Sequence, residues 1–133
     1  MGAWDAGSFE NDMALDWLEV FCSASNKEEL LVSMLETITD ADGYLDAADC
    51  SSCIAAADVV ASLKNAPNPN FPEDSKECVS GSGIQPDASL VALAINAVGR
   101  VKADSELKEL WDESENPEEW YAAINDLEAR LKR

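Results

Sequence analysis

No stretch of this chain alternates apolar and polar residues at a spacing of two for long; where apolar residues recur, they recur at three and four. That spacing puts them on one face of an α-helix and leaves a β-sheet without a face to bury. The predicted fold is therefore all-α, a compact bundle of about six helices with an irregular N-terminal lead-in and one long Pro/Gly-containing loop. With 133 residues the size prior gives one domain, 1–133. Hydrophobic residues make up 47% of the chain, enough for a core and too many for wholesale disorder.

The helix starts and stops can be read in order. Asn11 or Ser8 is placed to cap a first helix, with Asp12 in its first turn and Ala14, Trp17, Leu18 and Phe21 on its inner face. Trp4 and Phe9 precede the cap, where apolar residues commonly fold back onto the helix. Asn26 and Glu29 read as a cap with its reciprocal carboxylate, and Gly43 as the left-handed residue that ends this second helix. Asp46 caps a third helix reaching about Lys64, rich in alanine and carrying Ile54, Val60 and Leu63. Asp87 starts a helix whose Leu90, Val91, Ala94, Ile95, Val98 and Val101 form a stripe wide enough for the middle of a bundle. Asp104 or Ser105 starts a short helix with Leu107, Leu110 and Trp111. Asn116-Pro117-Glu118-Glu119 opens the last one, with Trp120, Ile124, Leu127 and Leu131 inward.

Residues 65–86 interrupt this pattern. Pro67, Pro69, Pro72 and Pro86, with Gly81 and Gly83, forbid a continuous helix, so a mobile loop is expected there, pinned in part by Phe71 and Val79.

The opening residues carry a family signal. Gly2, Trp4, Gly7, Phe9, Asn11, Asp12, Ala14, Asp16 and Trp17 resemble the N-terminal signature Gly-x-Trp-Gly-x-Gly-x-Phe-x-Asn-Asp-x-Ala-x-Asp-Trp of Domain of Unknown Function family 4259, with Asp5 standing where that family has Gly. Asp42-Gly-Tyr44-Leu45-Asp46, the Ala-rich run to Ala61 and Asp104 to Trp111 are similar as well. The resemblance implies a small, mostly helical bacterial domain and brings no activity with it.

Chemistry is bounded by what is missing and what is plentiful. The chain has no His, which excludes Ser–His and Cys–His nucleophiles and His-ligated metals. Cys50-Ser-Ser-Cys53 sits among acids with no strand before it, unlike a redox motif. Cys22 and Cys78 are too far away in sequence to complete a zinc site of closely spaced pairs. Buried or incidental thiols are the favoured reading, with a link from Cys78 to Cys50 or Cys53 as the alternative. Gly81-Ser-Gly83 lacks the later glycine and lysine of a phosphate loop and reads as a hinge. No cofactor and no metal is expected.

Carboxylates are the one abundant resource: 27 acidic against nine basic residues give a net charge of −18. Nucleic acid is a poor partner for such a surface, because its binding runs on Lys and Arg neutralising phosphates. No apolar run is long enough for a membrane span, and no signal-peptide pattern opens the chain, so a cytoplasmic location without membrane is expected. Trp4, Asp12, Asp16, Trp17, Asp46 and Asp58 are the candidate binding residues. Asp12, Asp16, Asp46 and Asp58 offer the oxygen ligands Mg²⁺ prefers, which makes a carboxylate-based hydrolase of a phosphorylated small molecule the alternative function. Capping and structural roles are commoner for such residues. The first expectation is thus a non-catalytic interaction domain meeting a basic protein partner, alone a monomer or homodimer; a structural or dimerising module is the third.

Overall fold

The structure, a computed structural model, describes residues 7–9 and 11–133. It is all-helical: α1 (Asp12–Ser23), α2 (Lys27–Thr39), α3 (Ala47–Leu63), α4 (Lys76–Ser80), α5 (Ala88–Ala103), α6 (Glu106–Asp112) and α7 (Pro117–Leu131). The seventh helix relative to expectation is α4, preceded by a one-turn 3₁₀ helix, Glu73–Ser75. Both lie inside the Pro/Gly segment read as irregular. Pro72 opens the turn, and Val79 then drops into the core beside the buried Phe71 and Ile84. Phe9 meets Phe71 edge-on at 4.7 Å, so this residue before the α1 cap packs against that segment; Trp4 lies outside the described residues.

The centre of the bundle is α3, not α5. From Cys53 to Ala61 every α3 residue is buried, and α1, α2, α5, α6 and α7 all pack on it. A helix apolar on every side belongs in the interior. Its alanines keep the helix while leaving room for neighbours on each side. The α5 stripe is narrower than predicted: Leu90, Ala94, Ala97, Val98 and Val101 are buried, while Val91 and Ile95 are half-buried.

Capping explains most of the boundaries. Asn11, Asp46, Asp87 and Ser105 each accept a hydrogen bond from the backbone N–H three residues on. Asn26 does not; its amide donates instead to Glu29 at 3.0 Å. The left-handed terminator is Asn65 (φ 64°) after α3, and Gly43 is not left-handed. Ala66 N–H bonds Ala61 O and Asn65 N–H bonds Ser62 O, the paired closure of a Schellman motif with Asn in glycine's usual place.

Candidate functional site

The acid singled out inside the apolar run, Asp58, is fully buried and paired. Arg130 of α7 reaches it with both terminal nitrogens, at 2.7 and 3.0 Å, and Asn68 donates to it at 3.2 Å. The same guanidinium bonds Ala66 O at 3.1 Å and Asp126 at 2.8 Å. Burial works against the charge of Arg130, but the bonds and attraction from Asp58, then Asp126, outweigh it and hold its pKa up. Both oxygens of Asp58 are bonded, so Asp58 joins α3, α7 and the start of the 65–86 segment.

The other predicted aspartates do not join it. Asp12 and Asp16 are exposed on α1, Asp46 is the cap of α3, and among the described residues no three acids or thiols gather closely enough to share a metal ion. Trp17 is core, stacked on Phe21 at 5.3 Å. Trp4 lies outside the described residues. Two acids of α6, Glu106 and Glu109, are engaged with the chain around the start of α3. Glu106 accepts from Ala47 N–H at 2.7 Å, and Leu45 O accepts from Glu106 N–H, so the starts of α3 and α6 satisfy each other. Glu109 accepts the Tyr44 hydroxyl at 2.8 Å, which pushes that phenol up to about 12.

Cys50 and Cys53 are free and buried in α3. Burial pushes the Cys50 thiol up to about 11 and Cys53 higher still, so neither is a thiolate at neutral pH. Cys78 bonds Cys22 rather than either of them, with 5.6 Å between Cα atoms, tying α4 to α1.

The basic side chains show the strongest pattern. Seven of the nine are engaged within the chain: Lys27, Lys64, Lys76, Arg100, Lys102, Lys108 and Arg130. Three of these close helix ends where no basic residue stands in the last turn or its own is engaged elsewhere. Arg100 bonds the carbonyls of Ile38, Thr39 and Ala41 after α2, Lys64 those of Leu131 and Arg133 after α7, and Lys27 that of Ala24 after α1. Unsatisfied carbonyls at a helix C-terminus favour such cations. Little positive charge is left over to offset the surface carboxylates.

One open groove of about 900 Å³ lies between α2 and the turn Gly81–Ile84. Glu28, Val32 and Glu36 line its α2 wall four residues apart, with Glu29 beside them, and Gly83 turns the far wall with φ 74°. Sequence reasoning missed it, because its walls are far apart in the chain: Asn26 and Glu29 read as a helix cap and Gly81-Ser-Gly83 as a hinge, and only the fold brings them together.

Fold and site together define an acidic all-helical domain with a carboxylate-lined groove. The family described as Domain of unknown function (DUF4259) matches residues 2–123, and the chain belongs to that family, as its opening residues suggested. No curated protein and no solved structure matches the chain.

Proposed function

We propose that this chain is a non-catalytic interaction domain whose acidic surface meets a basic protein partner, with neither nucleic acid nor membrane involved. The observation that supports it is the use of cations: a chain of net charge −18 keeps seven of its nine basic groups in internal contacts. Such a surface speeds and orients encounter with a positive partner and repels polyanions. No helix of the described residues is long and apolar enough to cross a membrane. Exposed Met13, Leu15 and Val20 on α1 give a homodimer some apolar surface, but like charge opposes it.

Native mass spectrometry of the protein purified from its own host is the test. A stoichiometric complex with a basic polypeptide is the expected result; a bare chain or its homodimer overturns the reading. A cytoplasmic setting belongs to the same reading and has its own check, since disulfides persist mainly in oxidising compartments. The Cys22–Cys78 bond weighs against that setting, and its persistence in host cells lysed directly into an alkylating agent removes the protein from that compartment, whereas alkylation of both residues keeps it there.

A further inference from the structure

We propose that the groove between α2 and Gly81–Ile84 docks an extended segment of the basic partner, with basic residues at its first and fifth positions and an apolar residue between them at the third. This rests on the interaction reading above and adds the place and the pattern.

The pattern follows from two rises per residue. Glu28, Val32 and Glu36 lie along one stripe of α2, four residues apart. At about 1.5 Å per helical residue, Glu28 and Glu36 are separated by about 12 Å, with Val32 midway. An extended chain advances about 3.3 Å per residue and presents alternate side chains to one side, so residues four apart span about 13 Å with one between them. Two Lys or Arg side chains thus reach Glu28 and Glu36 while the residue between them meets Val32, with the buried Ile84 at the groove wall.

The groove has nothing of its own to neutralise these acids. Its one cation, Lys27, is turned away onto Ala24 O at 2.8 Å. Among the described residues, Glu28 and Glu36 accept no hydrogen bond from another side chain, while Glu29 is occupied by Asn26. Across from them, Gly83 leaves the space where a Cβ would stand open, and its N–H finds no partner among the described residues. A backbone can approach there and pair, as extended peptides do with free main-chain groups. A small metabolite is disfavoured by the groove's openness and length, and a nucleic acid by its charge.

The test uses a fluorescein-labelled peptide with Arg-Ala-Leu-Ala-Arg at its centre, a scrambled peptide of the same composition, and fluorescence anisotropy at low salt. Three proteins are compared: the wild type, Glu28→Gln with Glu36→Gln, and Glu118→Gln with Glu119→Gln, which removes the same charge from the exposed start of α7. The groove pair is expected to weaken binding about tenfold and the α7 pair less than about twofold, with the scrambled peptide bound more weakly by the wild type. Equal weakening by both pairs overturns the groove and leaves the acidic-surface reading standing. Absence of binding by the wild type to either peptide overturns both.

Discussion

Two clusters of carboxylates in this molecule have opposite fates. Around Asp58 the buried charges are closed: Asp58 and Arg130 are out of solvent and bonded to each other, with Asn68, Ala66 O and the exposed Asp126 completing the set. Along the groove, Glu28 and Glu36 are exposed and pair with no cation among the described residues. One set is inseparable from the fold and the other is available to a partner. Burial makes the difference, because a charge removed from water must be answered at once and a charge left in water need not be.

The largest effect should come from opening the closed cluster. Arg130→Met removes the only cation on a fully buried carboxylate and is expected to cost about 3–5 kcal/mol in urea unfolding. Adding Asp58→Asn should recover part of that loss, as relief of an unpaired charge predicts. A loss under about 1 kcal/mol would mean that water reaches Asp58 and that the two clusters are alike after all. Next comes the groove's far wall, which is attached by three buried anchors, Phe71, Val79 and Ile84, and by the Cys22–Cys78 bond. That bond closes a sequence separation of 56, so Cys22→Ser with Cys78→Ser should cost about 2–4 kcal/mol by loop closure. Hydrogen exchange should show residues 73–84 losing protection while α3 and α7 keep theirs. Simultaneous loss in both regions would join what the structure presents as separable.

The limits of legibility have the same physical origin. Helix starts were readable because a cap acts within three residues: Asn11, Asp46, Asp87 and Ser105 all serve where their positions indicated. The inner faces of α1 and α7 were readable because a helix buried on one side shows a stripe. The α3 run shows no stripe, being buried on every side, so its central place did not stand out against α5. Contacts made across the chain left no local trace at all. Arg130 stands in the last turn of α7, where a cation suits its own helix end, but its use on Asp58 spans 72 residues. The end of α7 is served instead by Lys64. Gly43, expected to end α2, is not left-handed, while Asn65 takes that conformation at the end of α3, since Asn tolerates it and the Pro at position 67 ends that helix anyway. The groove needed the fold itself, and of the candidate acids, all among the described residues, Asp58 is the one that sits in a buried polar cluster.

Smaller effects sharpen the contrast further. Ser51 Oγ is buried in α3 and has no hydrogen-bond partner among the described residues, the one such side chain there. Ser51→Ala should therefore stabilise the protein by about 1 kcal/mol, because an unmet buried hydroxyl costs more than the methyl that replaces it. A loss instead would reveal a partner for that hydroxyl and place a second closed polar site inside the bundle.

The smallest effect carries the functional weight. Glu28 stands in the first turn of α2, where a negative charge is favoured, and Glu36 near its last turn, where it is not. Glu28→Gln and Glu36→Gln should shift stability in opposite directions, and the pair together by no more than about 0.5 kcal/mol. The same pair is expected to remove most of the peptide binding. Such a separation, stability unmoved and binding lost, distinguishes carboxylates held for a partner from those held for the fold. If the pair instead cost more than about 1 kcal/mol in unfolding, the groove acids would be structural in the manner of Asp58, and the contrast between the clusters would be one of exposure alone.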